Sequence, residues 1–153
     1  MSKKQQRDIE LFIVDIFVSI QKIKTYTKEF KNSQDFAHSG LHWDASIRQL
    51  EIIGEALNKL LKNDNFNLLA PSYFRKVVNF RNIIIHGYFG IDSDEVWDII
   101  KEKLIILEND LNKMVKNNID LREAINSEID EYKELNDIQT INYLIKLQNM
   151  LKV

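Results

Sequence analysis

Apolar residues step by three and four along almost the whole chain, and this spacing most limits what it can fold into. Ile9, Phe12, Ile13, Ile16, Ile20, Ile23, Thr27 and Phe30 form the first such stripe, which predicts an amphipathic helix over about 6–30. Leu11, Val14, Phe17 and Val18 add apolar surface off the stripe. A helix apolar on more than one face is either central in a bundle or buried against a second subunit, and part of this surface is expected to be covered by a second chain. The polar stretch 31–40 reads as a loop with a turn of helix around Phe36. A second helix is predicted over about 41–62, through Ala45, Ile47, Leu50, Ile53, Leu57 and Leu60. It stops at Asn63-Asp64-Asn65, whose side chains compete for backbone hydrogen bonds.

Pro71 and Ser72 open a third helix that ends at Gly87. Asp92 and Glu95 read as a capping box for a fourth, over about 93–116. Two more amphipathic stretches follow, about 120–135 and 138–151. One proline and four glycines in 153 residues disfavour a turn-rich all-β chain, and there is neither an internal repeat nor a long linker. The expectation is an all-α protein: an up-and-down four-helix bundle over 1–117, with a C-terminal helical extension over 118–153 packed on the bundle or on a dimer.

Charge and cysteine content exclude several functions. Lys+Arg is 21 and Asp+Glu is 23, a net charge of -2, so any contact with nucleic acid must come from a local patch. Without cysteine there is no disulfide scaffold, thiolate zinc site or Cys nucleophile. Lys3, Lys4 and Arg7 precede an apolar run, but Asp8, Glu10 and Asp15 interrupt it and no small-residue cleavage site follows. No stretch reaches the roughly 18 uncharged apolar residues of a membrane span. A cytoplasmic protein without a membrane segment is expected.

The chemistry concentrates in the third helix, Phe80-Arg81-Asn82-Ile83-Ile84-Ile85-His86-Gly87-Tyr88-Phe89-Gly90-Ile91-Asp92. Arg81, Asn82 and His86 interrupt an apolar run, where polarity costs stability unless partners are found. Asn82 and His86, four apart, share a helix face, so Asn82 is placed to orient His86. Arg81 and Tyr88 align within roughly 20°, whereas Arg81 and His86 stand about 140° apart. His86 lies in the last turn, where the helix dipole favours its protonated form. An arginine and an imidazolium directed into one cleft suit a phosphate. The same residues also suit a plain structural role, pairing carboxylates and capping carbonyls.

Other candidates are thinner. His38 and His42, four apart with Asp35 and Asp44 nearby, have metal-compatible spacing but no third ligand on a firm element; neither a metal nor a cofactor is expected. Phe80, Tyr88, Phe89 and Trp97 are of the type that stacks on bases, though helical spacing more often marks core. Arg48, Arg75 and Lys76 either extend a positive patch or are ordinary surface charge.

Arg81, four residues, His86, Gly87 and Tyr88 match without departure the Arg-x4-His-x-Tyr signature of the HepT-like branch of the HEPN superfamily, which the chain resembles over roughly 6–116. Gln49-Leu50-Glu51-Ile52-Ile53-Gly54-Glu55-Ala56 and Val96-Trp97 are similar to further motifs of that branch. The usual Trp before the third helix is replaced by Ser72-Tyr73-Phe74, a change expected to touch packing rather than chemistry. The tail from Asn117 matches no motif.

The resemblance implies a homodimer with an RNA-cleaving site where two copies of the motif meet. Arg81 and His86 would be catalytic. Beside the resemblance, position on the helices makes Asn82 a support for His86 and Glu55 either a partner for Arg81 or a solvated charge. The resemblance also implies a metal-independent endoribonuclease toxin of a type VII toxin–antitoxin pair. A minimal nucleotidyltransferase antitoxin (MntA-like) would neutralise it by adenylylating Tyr88. The alternative is a non-catalytic HEPN module that binds nucleotide or a nucleotidyltransferase partner.

Overall fold

Helix α1 (Lys3–Thr27) is the axis of the molecule, capped by Ser2, whose hydroxyl accepts from the Gln5 backbone while the Gln5 side chain accepts from Ser2 N–H. The computed structural model describes residues 2–87 and 90–151, and every element among them is helical. After α1 come α2 (Ser33–His38), α3 (Gly40–Leu60), α4 (Asp64–Leu69), α5 (Phe74–His86) and α6 (Ser93–Asp98). Helix α6 runs through a π-helical turn (Ile99–Lys103) into α7 (Leu104–Asn118); α8 (Arg122–Glu134) and α9 (Ile138–Met150) complete the chain. This is the expected all-α bundle with a C-terminal helical extension.

Packing follows the apolar stripes. Helix α1 lies against α3 and α7, and α3 also packs against α5. Ile13, Ile16, Phe17, Ile20 and Ile23 of α1 are fully buried with Ile53, Leu57 and Leu60 of α3. Phe36 joins α2 to the bundle, its ring centroid 5.3 Å from that of Trp43 and 5.6 Å from that of Trp97. Tyr73 and Phe74, where a Trp was missing, are packing residues. Phe74 is fully buried, and the Tyr73 hydroxyl donates to Asp110 at 2.6 Å, tying the start of α5 to α7. Burial and the neighbouring carboxylate push the Tyr73 pKa well above the usual phenol range.

Several sequence expectations need correction. Helix α4 falls where only a loop was expected; Asn63 caps it by accepting from Phe66 N–H, and Phe66 buries its ring against Phe74. Helix α5 begins at Phe74, because 71–73 form a preceding turn in which Phe74 N–H bonds Pro71 C=O. Gly87 closes α5 at φ -137°, so no left-handed residue terminates it. Asp92 caps α6 through Asp94 N–H, without the reciprocal Glu95 bond among the described residues.

The largest correction concerns α1. Val14, Phe17 and Val18, among the surface of which part was expected to lie against a second chain, are buried inside one chain, because α8 and α9 lie along α1. Ala124, Ile125 and Ile129 of α8 and Leu144 and Leu147 of α9 join the same core. Lys22 Nζ donates to the Tyr132 hydroxyl at 3.1 Å and stands over its ring, and Gln139 donates to the Thr25 hydroxyl. No helix among the described residues is long and apolar enough to cross a membrane.

Two carboxyl groups meet in this seam. Asp15 of α1 and Glu128 of α8 stand within hydrogen-bonding reach, with Glu131 adding negative charge and Lys22 opposing it. Burial, then the Asp15 charge, pushes Glu128 up to about 8, and burial also raises Asp15. A carboxyl group whose pKa rises on folding contributes stability below its unfolded pKa and loses it as pH climbs through the folded one. The melting temperature should therefore fall between about pH 5 and pH 8, from the ordinary carboxyl value to the folded one. Glu128→Gln should flatten that fall by roughly 2–4 °C, the effect of about 1 kcal/mol in a chain of this size. Thermal unfolding followed by circular dichroism across that range checks it; parallel pH profiles for the two proteins would refute a proton shared at the seam.

Candidate functional site

The site is built where α5 crosses α3. Gly54 has no Cβ, and one placed there would stand 2.2 Å from Arg81 Cβ and 2.8 Å from its Cγ. The stem of Arg81 thus occupies the space a side chain at position 54 would need. One residue on, Glu55 turns its carboxylate to the guanidinium, with Arg81 Nη2 2.5 Å from Oε2. This is a charge contact rather than an aligned hydrogen bond, and Arg81 Nε is buried without a hydrogen-bond partner. Arg81 Nη1 donates to Asn82 Oδ1 at 2.9 Å. Lys59 approaches the same carboxylate at 4.0 Å, one turn along α3.

These groups border a cleft of about 370 Å³ between α1, α3 and α5, lined by Phe12, Asp15, Arg48, Glu51, Glu55 and Arg81. The cations around it are paired: Arg81 and Lys59 with Glu55, and Arg48 with Glu51 at 2.8 Å. Both Arg81 and Glu55 keep part of their surface in water, at 25% and 41% side-chain exposure. The arginine is gripped on one side and accessible on the other.

His86 is differently placed. It is exposed in the last turn of α5 and bonds no other described side chain. Helix α5 is regular from Arg81 to His86, so the two residues leave the axis about 140° apart. One chain therefore brings Arg81 together with Glu55 and Asn82, and does not bring Arg81 together with its own His86. Asn82 shares the exposed face of His86, but its carbonyl is engaged by Arg81. Ile83 and Ile85, on either side of that face, remain 53% and 43% exposed, whereas Ile84 between them is buried. Tyr88 and Phe89 lie outside the described residues.

Three of the remaining candidates go into packing. Phe80 is buried and Trp97 packs on Phe36 with Lys101 4.6 Å over its ring. His42 shares a hydrogen bond of 2.6 Å with the Ser39 hydroxyl and meets the Phe30 ring edge-on. Among the described residues no cluster of His, Asp or Glu could hold a metal ion. Sequence reasoning missed Gly54 as a contact surface. Its signal was its place beside Glu55 in the second motif, one residue from the partner assigned to Arg81.

Comparison with known proteins places this geometry. The family model of the HepT-like ribonucleases matches residues 16–116. A protein of Methanocaldococcus jannaschii named as an RNase is 37% identical over 97 residues, which cover 63% of this chain and 87% of that protein. A protein of Thermococcus cleftensis named probable ribonuclease HepT is 35% identical over 115 residues, covering 74% and 99%. Another M. jannaschii protein, named for both gamma-glutamylcyclotransferase and RNase, is 31% identical over 113 residues. They cover 72% of this chain but 49% of that protein, so the match spans about half of that relative. No solved structure matches the chain. With two thirds of its length inside the family model, the chain belongs to the HepT-like ribonuclease family.

The Gly54 contact is directly testable. Gly54→Ala should force α5 away from α3 and cost about 1–3 kcal/mol, the range for overpacking a filled core. Thermal unfolding should show a melting temperature lower by several degrees; an unchanged value would mean that Arg81 is not seated as described.

Proposed function

We propose that this protein is a metal-independent endoribonuclease that acts as a homodimer, with Arg81 and His86 as its catalytic residues. The observation that carries this reading is their disposition: both lie on one regular helix of a HepT-like chain, yet they diverge within a single copy. Strand cleavage without a metal requires a base for the 2′-hydroxyl proton and an acid for the leaving 5′-oxygen. One chain has one suitable imidazole; a two-fold dimer has two. Exposed Ile83 and Ile85, flanking the face that carries His86, supply apolar surface for that association.

In the proposed reaction one His86 takes the 2′-hydroxyl proton. The 2′-oxygen attacks phosphorus, the bond to the 5′-oxygen breaks, and the other His86 protonates that oxygen. The products are a 2′,3′-cyclic phosphate and a 5′-hydroxyl end. Arg81 opposes the charge that builds on the phosphorane, its planar fork matching two oxygens. Glu55 keeps the guanidinium at the cleft in the absence of substrate.

The test uses a single-stranded RNA in the presence of chelator. His86→Ala and Arg81→Ala should each lose at least about a hundredfold in rate, the low end for general acid–base and charge stabilisation. Helix content and dimer mass should stay unchanged. Arg81→Lys should recover little, since it lacks the fork. Undiminished cleavage by folded His86→Ala protein overturns the mechanism.

The physiological reading that goes with this chemistry is a toxin of a type VII toxin–antitoxin pair, neutralised by an MntA-like minimal nucleotidyltransferase that adenylylates Tyr88. The supporting fact is sequence position: Tyr88 follows His86 by two residues in the family signature. AMP placed there brings phosphate charge and bulk beside the groups that must hold RNA phosphate. Co-expression with the nucleotidyltransferase should add mass in steps of one AMP to the wild type. Tyr88→Phe should remain toxic and unmodified; equal neutralisation of both forms refutes the switch.

A further inference from the structure

Helix α5 reads Phe74-Arg75-Lys76-Val77-Val78-Asn79-Phe80-Arg81-Asn82-Ile83-Ile84-Ile85-His86, without a single acid in a chain of net charge -2. Arg75, Asn79, Asn82 and His86 are all exposed, and at 3.6 residues per turn they fall within about 60° of one another. They form a straight polar stripe ending at His86, with Lys76 alongside. The side chains of Arg75, Lys76 and Asn79 make no hydrogen bond or ion pair with any described residue. Most other cations near the cleft are already matched, Arg48 by Glu51 and Arg81 and Lys59 by Glu55. Exposed arginine beside exposed amides, with no carboxylate on the helix, is complementary to a phosphodiester backbone.

We propose that this stripe is the binding track for the RNA strand, with Arg75 as a phosphate contact remote from the scissile bond. Arg75 and His86 are 11 positions apart, about 16 Å along the helix. At about 3.4 Å per stacked nucleotide, the track spans on the order of five nucleotides. A two-fold axis near His86 leaves the Arg75 end of each copy pointing outward, clear of the shared site. The substrate class that follows is single-stranded RNA several nucleotides long, held mainly through its backbone and so with little dependence on base sequence. This rests on the ribonuclease reading above and adds the residues that seat its substrate.

The test is binding, read by fluorescence anisotropy on His86→Ala protein, so that cleavage does not interfere. Labelled single-stranded RNA of about two to ten nucleotides is titrated at salt concentrations from about 50 to 200 mM. Affinity should rise with length to about five nucleotides and then level off. Arg75→Ala, in the same background, should lose that gain, bind the longest RNA about three- to tenfold more weakly, and lower the salt slope by about one. Arg75→Lys should keep the slope, and Lys133→Ala on the exposed face of α8 should bind as its parent does. An unchanged slope and length dependence in Arg75→Ala overturns the track even if wild-type protein cleaves RNA. Arg75-dependent binding with no cleavage by the wild type leaves the track standing and removes the catalytic reading. No binding by any variant overturns the track, and no cleavage by the wild type beside it overturns both.

Discussion

The contact between Arg81 and the Gly54-Glu55 pair decides how the rest of the site is arranged. A glycine lets the arginine stem lie flat on α3, and the next residue supplies the countercharge at 2.5 Å. That commits Arg81 to the α3 side of α5, and helix geometry then turns His86 away from it by about 140°. The two residues that matter most to the proposed chemistry are separated by the feature that holds one of them in place. A second copy is the natural source of the missing partner, and exposed Ile83 and Ile85 mark where such a copy would sit.

The C-terminal extension narrows the possibilities for that assembly. Helices α8 and α9 close the second apolar face of α1 within one chain, so that face is not open to a second copy, and the proposed dimer would use surfaces such as α5. The match to the family model ends at residue 116, just before this hairpin. The hairpin is held by burial of Ile125, Ile129, Leu144 and Leu147, and its Glu128 faces Asp15 of α1 in a carboxyl pair that favours its protonated form. Asp15 belongs both to that pair and to the lining of the Arg81 cleft. The extension and the candidate site therefore share a residue.

Much of this was legible in the sequence. Steps of three and four located the long helices, and the Arg81–His86 spacing singled out α5 and set their divergence in advance. For Glu55 the sequence left two readings open, a partner for Arg81 or a solvated charge, and the fold sets its carboxylate 2.5 Å from the guanidinium. Helix α4 was hidden because an asparagine-rich run reads as a loop, while in the fold Asn63 spends its side chain on a cap and Phe66 alone anchors the turn. The π-helical turn at Ile99–Lys103 shifts periodicity by a single residue, too little for a pattern to reveal. The surplus apolar face of α1 left two readings open, a central place in the bundle or cover by a second chain, because periodicity states that a face is buried and not by what. Glu128 gave no warning, since a carboxylate on a polar helix reads as solvated until the facing helix is known.

The claim most exposed to test is that two copies of His86 serve one reaction. Differently tagged chains allow purification of a mixed dimer with one wild-type chain and one His86→Ala chain, and its cleavage rate can be set against that of the wild-type dimer. If one imidazole acts as base and the other as acid, the mixed dimer should retain far less than half the activity, with a loss approaching the hundredfold expected for removing one proton-transfer group. Activity at half the wild-type value would mean that each chain works alone, and the shared site would be wrong.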